Sequence, residues 1–269
     1  MRWGIIGTGN MGSMLTTSLI KSGAVRSDQL TIYNRTKTKA EALKEELGLI
    51  TVADTILETQ QNSDILFICV KPHHYKEILD QLKGKWKKDQ CLVSITSPIA
   101  VDQLEKAVPC EVARVVPSIT NHALAGVSLM TFGEKTSEAY RTALNKAFSH
   151  VSTPVEIEEE YIRAASDIVS CGPAFISFLL SEWIKAAGEV AGMPKEKAAV
   201  LTENMMTGLG ELLSRRIMTL EELMEKVTVK GGVTGEGLQA LEDHIGPLFQ
   251  KMFEATQRKH QEDKKHIHL

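Results

Sequence analysis

Trp3-Gly4-Ile5-Ile6-Gly7-Thr8-Gly9-Asn10-Met11-Gly12 passes from a short apolar run straight into glycines spaced as GxGxxG, and then into a helix-forming segment. The spacing reads as a nucleotide-binding turn. Gly7 makes the tight exit from a strand, Gly9 lets backbone approach a pyrophosphate, and Gly12 lets the following helix pack close on the sheet. A helix beginning near Asn10 would aim unpaired N–H groups and its positive dipole end at phosphate, so Gly7, Thr8, Gly9, Asn10 and Met11 are candidate cofactor contacts. A bland glycine-rich turn shares the local pattern, but here an amphipathic segment from Met11 to Lys21 follows. A second apolar run, Leu30-Thr31-Ile32-Tyr33, arrives after about 20 residues, as a βαβ unit requires.

Outward from this turn, strand-like and helical stretches alternate to about Val155, the pattern of a Rossmann-type, doubly wound parallel sheet. Ile65–Val70, Cys91–Ile95 and Glu111–Val116 are short, mainly apolar runs uninterrupted by alternation, as strands buried on both faces are. Thr36–Leu47, Tyr75–Leu82 and Val101–Ala107 supply the crossovers. Val127–Phe132 reads as a further strand, Ser137–His150 as a helix and Ser152–Ile157 as the last strand. Beyond Glu158 the strand runs stop. Glu159–Ile168, Pro173–Ala191, Lys195–Arg216 and Leu220–Lys226 have helical periodicity, which predicts an α/β domain over 1–157 and an all-helical domain over 158–269. Pro173 sits where a helix tolerates a missing N–H, and Gly192-Met193-Pro194 separates two helices. The Phe175, Phe178, Leu179, Trp183 stripe reads as core rather than as a cofactor box. Two long apolar helices in so small a lobe predict burial against a second copy of the chain. Gln257–Lys265 is strongly charged and reads as a frayed tail.

Composition narrows the function classes. The 269 residues are 43% hydrophobic and 24% charged with a net charge of −3, which excludes fibrous and disordered classes and gives no basic surplus for nucleic acid or anionic membrane. Cys69, Cys91, Cys110 and Cys171 form no CxxC pair, so disulfides and metal are not expected. No basic leader and no window approaching 18 uncharged apolar residues is seen, and the expected location is cytoplasmic.

The end of the second strand bears on the cofactor. An NAD enzyme places an Asp or Glu there, whereas this chain has Asn34-Arg35-Thr36. With no carboxylate to repel a phosphate, and with Lys37 and Lys39 nearby, Arg35 favours NADP; the alternative is that Arg35 merely starts a solvated helix. Val70-Lys71-Pro72 closes another strand at the same edge, and Lys71 is either a phosphate partner or solvated. Val229-Lys230-Gly231-Gly232-Val233-Thr234-Gly235 is either a simple helix-capping turn or a site whose backbone N–H groups and Thr234 hydroxyl bind a carboxylate or ring nitrogen. His73 and His74 read as polar loop residues. No nucleophile, metal or paired-carboxylate spacing is present, as suits a protein that orients a cofactor-borne hydride.

Gly7–Gly12, Asn34-Arg35-Thr36, Val70-Lys71-Pro72, Arg114–Pro117, Gly172–Phe175 with Glu182, and Gly231-Gly232 with Thr234 together resemble the pyrroline-5-carboxylate reductase family over essentially the whole chain. The resemblance implies NADPH bound by the first domain, also through Thr96 and Ser97, an intertwined homodimer built by the second, and an active site in the cleft between domains. It implies hydride delivery to the imine of 1-pyrroline-5-carboxylate, yielding proline. Thr234 matches the family threonine that hydrogen-bonds the ring nitrogen, and Lys230, Gly231 and Gly232 join it in the substrate segment. The departures gather at the site. Ser118-Ile119-Thr120 replaces Asn-Thr-Pro, Thr96-Ser97-Pro98 replaces Ala-Ala-Gly, Val229-Lys230 replaces Ser-Pro, and Val169-Ser170-Cys171 stands in the Ser-Gly-Ser-Gly-Pro segment. Pro98 deletes an N–H donor, and Val229 removes a hydroxyl expected at the substrate carboxylate. The pattern is similar to a divergent paralogue that some bacteria encode with late-competence genes. Attenuated catalysis, compensation by Lys230, and a non-enzymatic regulatory or interaction protein all remain open, as does a reductase for another small imine or a hydroxy acid. A hydroxy-acid dehydrogenase of this build ordinarily shows a lysine and an asparagine one helical turn apart near the start of the second domain, and Ile162–Phe178 has none.

Overall fold

The computed structural model describes residues 1–267. Strands and helices alternate as β1 (Trp3–Ile6), α1 (Asn10–Lys21), β2 (Leu30–Tyr33), α2 (Lys37–Leu47), β3 (Thr51–Val52), α3 (Ile56–Gln61), β4 (Ile65–Ile68), α4 (Tyr75–Gln81), β5 (Cys91–Ser94), α5 (Val101–Ala107), β6 (Glu111–Val116), β7 (Val127–Phe132), α6 (Glu138–Ser149) and β8 (Thr153–Glu156). The eight strands form one sheet in the order β3-β2-β1-β4-β5-β6-β7-β8. β1 lies between β2 and β4 and runs parallel to both, with Ile5 in register with Ile32 and Phe67. That reversal of strand order after β1 puts the Gly7–Gly12 turn at the crevice where such sheets bind ligands.

β3 and α3, absent from the sequence reading, complete the crossover from β2 to β4. The sheet is also not parallel throughout, because β7 pairs antiparallel with β6. The link between them, residues 117–126, holds only a short 3-10 helix over Ile119–Ala123 and is too short for a crossover, so the chain must turn back. β8 follows the α6 crossover and is parallel to β7. As an edge strand it tolerates Pro154. β1, β4 and β5 are buried along their whole length, and apolar cores cover both faces of the sheet.

The chain divides into two compact units, Met1–Pro173 with the stretch from Ala255 onward, and Ala174–Glu254. α7 (Ile162–Ser166) and a π-helical turn over Asp167–Cys171 belong with the sheet, where Ile162 packs against Val116 and Leu129. The second unit holds most of α8 (Gly172–Ala191), together with α9 (Lys195–Ser214), α10 (Leu220–Val227) and α11 (Val233–Ile245). Its long helices leave Phe178 64%, Trp183 61% and Val190 88% exposed, so the aromatic stripe is not core within one chain. By length and composition Ile162–Ala191 is apolar enough to cross a membrane, which the sequence reading did not anticipate.

α12 (Leu248–Lys265) corrects the expectation of a frayed tail. It is a continuous helix, His260 within it is 5% exposed, and Thr256 Oγ1 donates to Asp167 Oδ2 at 2.7 Å. Its charged composition hid a helix anchored through polar side chains, Thr256 to Asp167 and the buried His260.

Candidate functional site

Gly7 leaves β1 at φ +98°, and a Cβ there would stand 2.7 Å from the Cys69 carbonyl oxygen. A Cβ on Gly12 would lie 1.9 Å from the Gly7 carbonyl oxygen, which is how α1 comes to pack directly on the turn. Gly9, by contrast, has nothing within 4 Å of a Cβ position, so the open side of its backbone faces free space. Gly9 is also the residue that begins α1. No side chain caps this end and no acid occupies the first turn, leaving its leading N–H groups and positive dipole end available to an anion.

Asn34 ties this turn to the end of β2. Its Oδ1 accepts from the Thr8 N–H at 3.0 Å, and its Nδ2 donates to the Thr36 carbonyl at 2.9 Å. Thr8 Oγ1 is buried without a hydrogen-bond partner, an orphaned hydroxyl beside the cradle. A cleft next to Gly7 gathers Asn34, Arg35 and Val70 from the expected set and adds Tyr33, His74, Glu77 and Gln81. His74, at the end of the short 3-10 helix after β4, lines this cleft, although no motif in the sequence marks it. Arg35 is exposed at the cleft, whereas Lys37 is ion-paired with Asp54. Lys71 and Pro72 open a short 3-10 helix after β4, with Lys71 exposed.

The loop after β5 carries Thr96 and Ser97. The Thr96 N–H donates to Ser94 Oγ at 3.3 Å, and Ser97 is buried. Beneath the loop lies Arg114, wholly buried on β6. Its guanidinium donates to the carbonyls of Ser97 (3.5 Å) and Ile99 (3.2 Å) and to Thr131 Oγ1 (3.2 Å), and it forms a two-pronged pair with Glu159 at 3.1 and 2.6 Å. Such a cation is tolerable only because a counter-charge and several acceptors meet it together. Tyr75 spans β4 and β5, donating to the Ile68 carbonyl at 2.7 Å and bonding Ser94 Oγ at 2.9 Å. Burial pushes the Tyr75 phenol and the Cys69 thiol up and the Cys110 thiol to about 12, so these groups stay protonated at neutral pH.

In the second unit the glycine-rich segment is a turn leading into α11. Gly231 has φ +72°, the Gly232 N–H donates to the Val229 carbonyl at 2.8 Å, and Gly232 begins the helix with no side-chain cap. Thr234 lies in the first turn of α11, and Lys230 is exposed. The Val229 side chain reaches over Gly232, with a Cγ only 2.6 Å from where a Cβ would be.

Comparison with known proteins gives a consistent result. A family model described as pyrroline-5-carboxylate reductase dimerisation matches residues 159–263, and one described as NADP oxidoreductase coenzyme F420-dependent matches residues 2–98. Pyrroline-5-carboxylate reductase 3 of Bacillus subtilis is 30% identical over 259 residues, 96% of this chain and 95% of that one. The chain belongs to the pyrroline-5-carboxylate reductase family. ComE operon protein 4 of B. subtilis is 45% identical over 273 residues, with 100% of each covered. Among solved structures, a pyrroline-5-carboxylate reductase from Coxiella burnetii superposes with a TM-score of 0.88 at 23% identity, covering 97% of this chain and 98% of that one. Plasmodium falciparum pyrroline carboxylate reductase with NADP bound gives 0.83 at 21%, covering 100% and 98%. These last two show the shared fold, a sheet-bearing N-terminal part and a helical C-terminal part.

Two of the departures from the family pattern have local structural uses. Ser118 Oγ donates to the Val169 carbonyl at 2.7 Å, and its N–H donates to Asn121 Oδ1 at 2.8 Å, so Ser118 caps the start of the 3-10 helix after β6. Ser170 Oγ donates to the Pro117 carbonyl at 3.1 Å, a second tie between the same two segments.

Proposed function

We propose that this member of the family uses NADPH to reduce the imine of 1-pyrroline-5-carboxylate, or of a related small cyclic imine, giving proline or the corresponding cyclic amine. The observation that carries the reading is the uncapped start of α1 behind an open Gly9, with Arg35 where an NAD enzyme would place a carboxylate. Gly7, Thr8, Gly9, Asn10 and Met11 would hold the pyrophosphate, and the Thr8 hydroxyl has no internal partner that a ligand would have to displace. Asn34, Arg35 and Thr36 would hold the phosphorylated ribose, with Val70, Lys71 and Pro72 beside it and Thr96 and Ser97 toward the nicotinamide. Bound NADPH supplies a hydride to the imine carbon.

The remaining work falls to the chain. Thr234 hydrogen-bonds the ring nitrogen and orients it, while the Gly231 and Gly232 backbone and Lys230 hold the carboxylate. The apolar faces of α8 and α9 are covered by a second copy, which gives a homodimer, and the reaction takes place in the cytoplasm. A domain boundary near 157 then separates a cofactor domain from a dimerisation and substrate domain over 158–269. Val229 over Gly232 and Ser118 in internal bonds favour a second reading, that of a weakly active or non-catalytic paralogue acting through protein contacts.

Loss of NADPH absorbance with pyrroline-5-carboxylate, run beside calorimetric titration of NADPH and NADH, tests both. Turnover at about 1 per second or faster supports the reductase, and binding without turnover supports the second reading. Failure to bind either nucleotide overturns the cofactor site.

A further inference from the structure

Ser97 is held by two guanidinium groups. Arg114 takes its backbone carbonyl and, two residues on, that of Ile99, while Arg163 Nη1 donates to the Ser97 hydroxyl at 3.3 Å. Pro98 between them has no N–H and a fixed φ, so the loop is shaped by these bonds and not by glycine freedom. Arg163 in turn is paired with the buried carboxylate of Asp167, one helical turn on, and lies 3.4 Å from Cys171 Sγ. The other oxygen of Asp167 accepts from Thr256 Oγ1 on α12 at 2.7 Å. His260, one turn further along α12, is buried beside the same arginines. A continuous hydrogen-bonded chain therefore runs from α12 to the loop after β5.

We propose that α12 is a positioning element for this loop, acting through Thr256, Asp167 and Arg163 on Ser97 and so setting the fit of the nicotinamide half of the cofactor. The inference rests on the NADPH reading above. Strand order gives it a direction. β5 lies on the far side of β4 from β1, while β2, which carries Asn34 and Arg35, lies on the other side. A dinucleotide crossing the turn at Gly9 has its adenosine half toward β2 and its nicotinamide half toward β5. Loosening the chain at Thr256 therefore weakens a ligand that reaches β5 and spares one confined to the β2 side. The Thr256, Asp167 and Arg163 side chains act at one remove and are positioning residues.

Calorimetric titration of the full-length protein with NADPH, and separately with adenosine 2′,5′-bisphosphate, tests this in wild type, Thr256→Val, Thr256→Ser, Ser97→Ala and the Thr256→Val/Ser97→Ala pair. Thr256→Val is expected to weaken NADPH about three- to tenfold, the effect of one part-buried hydrogen bond to a carboxylate. Affinity for the bisphosphate should stay within about twofold of wild type, and Thr256→Ser should restore NADPH affinity. In the Ser97→Ala background Thr256→Val should add nothing, since the last link is already gone. An unchanged NADPH affinity in Thr256→Val, an equal loss for both ligands, or additive losses in the pair would each overturn the proposal. Absence of bisphosphate binding by the wild type would instead overturn the cofactor reading on which it depends.

Discussion

Gly9 and Gly12, three apart in sequence, play different parts in the turn and give the sharpest test of the site. Gly12→Ala places a methyl carbon 1.9 Å from the Gly7 carbonyl oxygen, more than 1 Å inside any contact a Cβ tolerates, and 3.1 Å from Cys69 Cβ. The obstacle is backbone, so no side chain can turn away, and α1 must lift off the turn. Overpacking of this kind costs about 1–3 kcal/mol, and the better helix propensity of alanine offsets at most about 1 kcal/mol. The expected net loss is about 2 kcal/mol, a fall in melting temperature of about 4–8 °C for a unit of this size. Gly9→Ala meets nothing within 4 Å and needs only the ordinary extended backbone that Gly9 already has, at φ −76° and ψ −168°. It should leave stability unchanged or raise it by up to about 1 kcal/mol through the unfolded chain. The same methyl would stand where a pyrophosphate must approach, and NADPH affinity should fall about 10- to 100-fold. Urea unfolding and calorimetric titration of the two variants read both quantities. A Gly12→Ala protein as stable as wild type would refute the packing argument, and a Gly9→Ala protein with full NADPH affinity would refute the phosphate cradle.

Arg35→Asp restores the carboxylate expected of an NAD enzyme and should lower the NADPH-to-NADH affinity ratio at least about tenfold, measured by paired titrations. Glu159→Gln leaves the fully buried Arg114 without its counter-charge. With Glu159 itself partly exposed, a loss of about 2–3 kcal/mol in urea unfolding is expected, and a change under about 0.5 kcal/mol would show that the pair is not needed. His260 is held down to about 4 by burial and by Lys264, Arg163 and Arg114, with Asp263 opposing. The unfolded chain takes up this proton below its ordinary value of about 6.5 and the folded chain only below about 4, so stability should fall as pH drops through that window by at most about 3 kcal/mol. His260→Gln should flatten that part of the stability-versus-pH curve, and an unchanged slope would remove His260 from the account. Val229→Ser with Lys230→Pro should raise kcat/KM for pyrroline-5-carboxylate about tenfold or more if Val229 attenuates the site, and no gain would clear that segment.

Much of the cofactor region was legible because its constraints are local. GxGxxG after an apolar strand fixes a turn by what glycine lacks, and Asn34-Arg35 follows one crossover later. The fully buried strands announced themselves as apolar runs. β3 and α3 were missed because two strand residues and six helical ones are too short to show a period. The antiparallel β7 has the same apolar run as its parallel neighbours, and only the brevity of the link before it sets its direction. α12 was misread because charge dominates its second half, while its anchors, Thr256 and His260, are ordinary polar residues whose partners lie far away in sequence.

The sequence by itself determined the βαβ turn, the change from sheet to helices, and the family to which the chain belongs, since each is written in side chains close together along the chain. Tertiary structure alone decided that Arg114 is buried under the Ser97 loop, that His74 lines the cleft with Arg35, and that α12 returns to the sheet through Asp167. A guanidinium or imidazole looks the same in sequence whether solvated or buried. Its environment is set by groups brought from 40 to 90 residues away, such as Glu159 with Arg114 and Thr256 with Asp167, and that pairing exists only once the chain has folded.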